Sequence, residues 1–135
     1  MDFIPQIQPW IDSDELDQLK RVVESTYVTE HKLTEEFESL IKDLTGAKYA
    51  VSTTNGTAAL FCGLKALGIG EGDEVIVPNL TFIASSNAIL MAGATPILCE
   101  INNKNFCIDT EKINQLITDK TKAIMPVHLY GQSCD

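Results

Sequence analysis

A short polar turn within residues 52–60 (STTNGTAAL) carries the residue types best suited to bind an anion. It follows a strand-like run and opens a helix, where the first backbone N–H groups have no intrahelical acceptor. Gly56 lets a ligand approach the backbone closely, and the Thr57 hydroxyl can donate a hydrogen bond to a phosphate oxygen. The turn therefore predicts a phosphate site. On spacing alone, a plain helix cap built from Thr and Asn is the commoner use of such residues.

A second candidate follows the next strand-like run, in residues 79–82 (NLTF). Phe82 could lie flat against a planar ligand ring, although core packing is the commoner role of a lone phenylalanine. His128 follows a later strand and His31 lies in a polar connection, and a structural role is the commoner interpretation of both. The sequence has no H-E-x-x-H motif and no paired metal-ligand spacing, so it predicts no metal site.

Composition restricts the classes of partner. The formal net charge is −9 and the ten basic residues are scattered, which argues against nucleic acid or an anionic membrane as the main partner. No leader-like N-terminus and no apolar run of about 20 residues is present. The four cysteines form no C-x-x-C pair, which favours reduced thiols in a cytoplasmic protein over a disulfide framework.

The elements that must position these residues alternate between helix and strand. Two amphipathic helices come first, from Asp12 or Ser13 to about Ser25 and from Thr34 to a stop at Gly46. The remaining pattern predicts strands at 49–52, 74–77, 96–101 and 122–127, and helices at 57–67, about 81–92 and 110–117. This alternation is typical of βαβ units with a parallel sheet. A generic dinucleotide-binding domain is a weaker alternative, because the sequence has no G-x-G-x-x-G motif after the first predicted strand.

A series of motifs in a fixed order resembles the DegT/DnrJ/StrS family of pyridoxal-phosphate-dependent nucleotide-sugar aminotransferases. The resemblance covers nearly the whole chain. The motifs are GAKYAV at 46–51, NGTAAL at 55–60, LGIGEGDEVIVP at 67–78, TF at 81–82, GATP at 93–96 and VHLYG at 127–131.

The resemblance implies a fold and a set of site residues. The expected fold is α/β: an incomplete large domain of fold type I (aspartate-aminotransferase-like), with a mostly parallel sheet and flanking helices. The implied cofactor is pyridoxal 5'-phosphate, with Gly56, Thr57 and Ala58 at its phosphate and Phe82 stacked on its ring. The segment 27–32, with Thr29 and His31, corresponds to a loop near the sugar substrate.

The resemblance also implies an activity. Family members move an amino group, usually from glutamate, to a keto sugar linked to a nucleotide, in amino-sugar and polysaccharide biosynthesis, and they act as homodimers. A sugar dehydratase of the same family, in which histidine replaces the lysine that holds the cofactor, is an open alternative. A truncated, non-catalytic interaction module is another.

The expected organisation is an N-terminal helical arm over 1–35, followed by the N-terminal part of the cofactor-binding domain over 36–135. Family members are two to three times longer, and none of the nine lysines here lies in the context of the Schiff-base lysine. We therefore expect this chain to be the N-terminal portion of such an enzyme, with no catalytic residue of its own. We expect the isolated chain to be inactive and prone to self-association, because its last strand lacks a covering helix.

Overall fold

The computed structural model describes residues 3–5 and 7–135; the first residues of the predicted arm, Met1 and Asp2, and also Gln6, lie outside the described residues. The contacts divide the chain into two units, Met1–Ser52 and Thr53–Asp135. No helix in the described part is long and apolar enough to cross a membrane.

The first unit contains two helices, α1 (Ser13–Ser25) and α2 (Lys32–Thr45). Helix α1 starts next to the predicted Asp12 or Ser13, and Asp12 and Glu15 form a capping box: the Asp12 side chain accepts from the Asp14 N–H at 2.9 Å, and the Glu15 carboxylate accepts from the Asp12 N–H at 2.8 Å. Helix α2 begins two residues before the predicted Thr34 and ends at Thr45, and its C-cap is Gly46, whose φ of 70° suits glycine. Local sequence signals therefore mark the start of α1 and the end of α2.

The predicted strand at 49–52 is wrong. These residues pair with no described strand, and Tyr49 and Val51 are exposed. The segment is held instead by Glu38 of α2, whose Oε1 accepts from the backbone N–H of Ser52 at 2.7 Å and from its hydroxyl at 3.0 Å. A strand-like run becomes a strand only when another strand supplies its ladder, and residue type alone cannot supply that partner.

The second unit is built on three parallel strands in the order β2-β1-β3. The strands are β1 (Glu74–Pro78), β2 (Thr95–Cys99) and β3 (Thr121–Ile124). The helices are α3 (Gly56–Ala66), α4 (Ala84–Met91) and α5 (Thr110–Ile113), and a short 3-10 turn follows at Leu129–Gly131. Within this unit the predicted order of elements is confirmed, although α5 and β3 are shorter than predicted and β2 ends at Cys99.

The sheet has apolar cover on both faces, which explains why its strands read as short apolar runs. Val75 and Val77 pack on one face, in a cluster with Leu64 of α3 and Ile89 of α4. Ile76 points to the other face, where it meets Cys99 and Ile108. The alternation along β1 therefore fixes which helices lie on which side of the sheet.

Candidate cofactor-binding site

A lysine side chain joins the ends of α3 and α4. Lys65, in the last turn of α3, donates from Nζ to the carbonyl oxygens of Ile69 at 3.4 Å and Ala92 at 3.3 Å. Ala92 closes α4, and the Ile69 carbonyl lies in the connection that leads into β1. The carboxyl ends of both helices thus lie at the amino edge of the sheet. Their amino ends lie toward the opposite, carboxyl edge, where ligands bind in open α/β sheets.

The start of α3 is capped and still offers free donors. Asn55 Oδ1 accepts from the Ala58 N–H at 2.9 Å, and the Asn55 carbonyl accepts from the Ala59 N–H at 3.1 Å. Within the described residues, the N–H groups of Gly56 and Thr57 have no acceptor. The cap and the anion site predicted from the sequence are therefore compatible, because the cap leaves two donors for a ligand.

Gly56 faces open space. A Cβ built on this residue meets no atom within 4 Å, and its backbone φ lies outside the left-handed region that favours glycine. Neither the packing nor the conformation of the described residues requires a glycine here. A ligand that approaches the backbone closely would require one.

Ala58 has a different position from its two neighbours. Its N–H already donates to Asn55, and the residue is half-buried. The expectation that Ala58 belongs to the phosphate turn stays a prediction, and its backbone donor is used by the cap in this structure. The half-buried Thr57 retains a hydroxyl with no partner among the described residues.

Phe82 lies in the connection between β1 and α4. Its side chain is 76% exposed, so it packs into no core of the described residues. Its carbonyl accepts from the Ser85 N–H at 3.1 Å, and the hydroxyls of Thr81 and Ser85 are 3.0 Å apart. These bonds fix the backbone that carries Phe82 while leaving the ring free to meet a ligand.

Thr29 and His31 line a cavity of about 750 Å³ in the first unit. The His31 ring stacks on Tyr27, with 4.2 Å between ring centroids and 7° between the planes. Arg21 and Glu36 also line this cavity, and Arg21 donates to both carboxylate oxygens of Glu36 at 3.1 Å. The cavity thus combines a flat aromatic pair, a hydroxyl and charged groups, a set that can hydrogen-bond a polyol.

Two thiols of the second unit, Cys99 and Cys134, are poorly suited to nucleophilic chemistry at neutral pH. Burial, and then the Asp109 carboxylate, raise the pKa of Cys99. Burial, and then a hydrogen bond with Cys107, raise the pKa of Cys134. Because the thiolate is the reactive form, these shifts favour structural roles. No cluster of three His, Cys, Asp or Glu side chains that could hold a metal occurs in residues 3–5 and 7–135.

The comparisons with known proteins agree with this architecture. The chain belongs to the DegT/DnrJ/EryC1/StrS aminotransferase family, whose sequence profile matches residues 9–135. It is 45% identical to the GDP-perosamine synthase of Caulobacter vibrioides over 139 residues, which cover 100% of this chain and 38% of the relative. The chain therefore spans well under half the length of this relative.

Solved structures show the same fold. A Streptococcus pneumoniae protein in its PMP form matches with a TM-score of 0.91 and 38% identity, covering 98% of this chain and 33% of that protein. NtdA from Bacillus subtilis, with bound cofactor PMP, matches with a TM-score of 0.86 and 42% identity, covering 91% of this chain and 28% of NtdA. The predicted fold class, an aminotransferase-type α/β domain with a parallel sheet and flanking helices, is confirmed.

Two features of the site were beyond sequence reasoning. From the sequence, a helix cap at Asn55 could be predicted only as an alternative to an anion site, whereas the structure shows that the cap leaves donors free for an anion. The bridge from Lys65 to Ala92 spans 27 positions and leaves no local signal in the sequence.

Proposed function

We propose that this chain supplies the phosphate-binding turn of a pyridoxal-phosphate-dependent aminotransferase, which moves an amino group from glutamate to a nucleotide-linked keto sugar. The observation that carries this proposal is the pair of free N–H groups at Gly56 and Thr57, at the start of a helix directed toward the carboxyl edge of the sheet. Family membership and the GDP-perosamine synthase relative support the activity and the substrate class. The product would serve amino-sugar and polysaccharide biosynthesis.

The residues present fit the cofactor. The two free N–H groups and the Thr57 hydroxyl would bind phosphate oxygens, and the α3 dipole adds about 0.3–1 kcal/mol for an anion at its amino end. The open space at Gly56 admits a phosphate against the backbone. The exposed Phe82 ring would cover one face of the pyridine ring, orient it and exclude water from that face.

Each group then has a defined task. When bound, pyridoxal phosphate supplies the electron sink that makes the carbon bearing the amine acidic enough to lose a proton. The turn at residues 55–58 would hold the phosphate, and Phe82 would pack against the ring. Such positioning lowers the entropic part of the barrier, because the reacting atoms are held in place before reaction.

Thr29 and His31 are proposed to face the sugar. Their cavity, with the Tyr27–His31 stack and the Arg21–Glu36 pair, provides donors and acceptors for sugar hydroxyls. We propose that the chain is organised as a helical arm over residues 1–35, followed by the start of the cofactor-binding domain over residues 36–135.

We propose that the lysine that holds the cofactor lies in a part of the full-length protein outside this chain. Lys65 is already committed to two backbone carbonyls at the amino edge of the sheet, away from the candidate site. On this proposal the chain by itself is inactive, and the whole protein acts as a homodimer. All four cysteines are free, which agrees with the cytoplasm as its compartment.

The test uses the full-length protein that carries this chain. The protein is incubated with pyridoxal phosphate, glutamate and a GDP-linked keto sugar, and the sugar product is identified by mass spectrometry. An amino sugar, formed with one 2-oxoglutarate for each amine, supports the proposal. A deoxygenated sugar without the amine indicates the dehydratase alternative. A protein that binds no cofactor and leaves the keto sugar unchanged contradicts the proposal and favours a non-catalytic interaction module.

A further inference from the structure

The loop after β3, residues 127–134, folds back on itself. Its backbone bonds run from the Gly131 N–H to the His128 carbonyl at 3.2 Å and from the Gln132 N–H to the Leu129 carbonyl at 3.0 Å. A side chain closes the base: His128 Nδ1 accepts from the Cys134 N–H at 3.0 Å.

Cys134, at one end of the closed loop, is attached to the core. Cys134 Sγ donates to the Val127 carbonyl at 3.1 Å, and Cys134 packs against the cluster of Ile76, Cys99 and Ile108 below the sheet. The loop is therefore fixed at one end to the core. The bond to His128 joins its other end to that fixed point.

Within the closed loop, Tyr130 adopts a left-handed conformation, with φ 56° and ψ 25°. Its side chain is 79% exposed. Left-handed backbone is uncommon for a residue with a bulky side chain, and such strain persists where the surrounding bonds enforce it. Tyr130 packs into no core of the described residues, so the conformation does not serve packing.

The loop leaves the sheet at the same edge as Phe82. Strand β3 runs parallel to β1 and next to it, and the Met125 N–H donates to the Ile76 carbonyl at 2.8 Å. Parallel neighbours end at the same edge, so the segments after β1 and β3 emerge side by side. A ring held against Phe82 would have the loop with Tyr130 as its neighbour.

We propose that His128 is a positioning residue for the cofactor site. By accepting the Cys134 N–H it keeps the loop closed, and the closed loop presents the phenol of Tyr130 to the pyridoxal phosphate ring. This inference rests on the proposed function. On this proposal, Tyr130 in the loop after β3 contacts the cofactor in addition to the turn at the start of α3 and Phe82.

The test compares three substitutions of His128 in the full-length protein at pH 8. His128→Asn places an amide oxygen close to the position of Nδ1, whereas His128→Gln places it further from the backbone and His128→Ala removes it. Hydrogen exchange of the Cys134 amide reports closure of the loop, and titration with pyridoxal phosphate, followed by its absorbance, reports the site. We expect His128→Ala and His128→Gln to speed exchange and weaken cofactor binding, each by about 2- to 10-fold, since a single hydrogen bond is lost. His128→Asn should restore both within about 2-fold.

Tyr130→Gly separates a ligand contact from a structural role. Glycine accepts the left-handed backbone without strain, so the melting temperature should stay the same or rise, while cofactor binding weakens. A purely structural tyrosine would leave cofactor binding unchanged, and that result overturns its role as a contact.

The outcomes distinguish the two proposals. If the wild-type protein binds no pyridoxal phosphate, the proposed function fails and this inference fails with it. If the wild type binds it, and His128→Ala matches the wild type in both measurements, only the role of His128 is overturned. A His128→Asn variant as impaired as His128→Ala also overturns that role.

Discussion

The ammonium group of Lys65 and the carbonyl of Ala92, 3.3 Å apart, join the carboxyl ends of α3 and α4. A second bond from the same ammonium reaches the Ile69 carbonyl, in the connection before β1. One side chain thus ties two helix ends to the amino edge of the sheet. Because α3 leads into the start of β1 and α4 into the start of β2, the amino ends of these helices lie toward the carboxyl edge, with Gly56 and the segment after Phe82.

Removing this bridge should destabilise the second unit. Lys65→Met keeps the length of the aliphatic chain and loses both hydrogen bonds, so we expect the free energy of unfolding to fall by about 1–3 kcal/mol. Urea denaturation of the full-length protein measures the change. Lys104→Met, at an exposed lysine whose side chain makes no bond in the structure, is the matched control and should shift stability by less than about 0.5 kcal/mol. Equal stabilities for the two variants would show that the Lys65 bridge does not contribute to the free energy of unfolding.

Phe82 should matter for the cofactor and not for folding. Because the ring is 76% exposed, Phe82→Ala should change the free energy of unfolding by less than about 0.5 kcal/mol. Loss of a stacking contact of about 0.5–1.5 kcal/mol predicts cofactor affinity roughly 2- to 12-fold weaker, and Phe82→Tyr should retain it. Leu67→Ala, at a residue 74% exposed near the opposite edge, should leave cofactor affinity unchanged. A Phe82→Ala protein with wild-type affinity would remove Phe82 from the site.

The thiols should differ in reactivity. Cys62 is exposed, whereas Cys99 is buried and its pKa is raised above the ordinary 9.0, first by burial and then by Asp109. At pH 7.5 we expect iodoacetamide to modify Cys62 first, as located by peptide mass mapping. The folded protein holds the Cys99 proton more tightly than the unfolded chain, so this contribution to stability is complete below about pH 9 and is lost as pH rises beyond it. Rapid alkylation of Cys99 at pH 7.5 in the folded protein would contradict this burial.

The order of helices and strands was predictable because local signals define it. The Asp12–Glu15 capping box, the Gly46 stop and the short apolar runs of β1 and β2 are all visible in the sequence. The strand predicted at 49–52 failed for a physical reason: pairing is non-local, and its residues find no neighbouring strand among those described.

Some features of the candidate site could also be predicted from local sequence, and others could not. Asn55, Gly56 and Thr57 are adjacent in the sequence, so a turn with free donors could be predicted from them. The exposure of Phe82 and the bond between His128 and Cys134 depend on how distant segments fold together. Resemblance to a family could suggest a role for Phe82, but only coordinates show that its ring is free and that the 127–134 loop is closed.

The central claim is that the turn at Gly56 and Thr57 binds the cofactor phosphate. The most direct measurement is the affinity of the full-length protein for pyridoxal phosphate and for pyridoxal, which lacks the phosphate, in the wild type, Gly56→Ala and Gly63→Ala. Gly63 is the matched control, because it lies in the same helix and a Cβ there also meets no atom within 4 Å. We predict that the wild type and Gly63→Ala prefer pyridoxal phosphate strongly, and that Gly56→Ala loses at least about tenfold of this preference, or 1.4 kcal/mol, while remaining folded. An undiminished preference for the phosphate in Gly56→Ala would contradict the account.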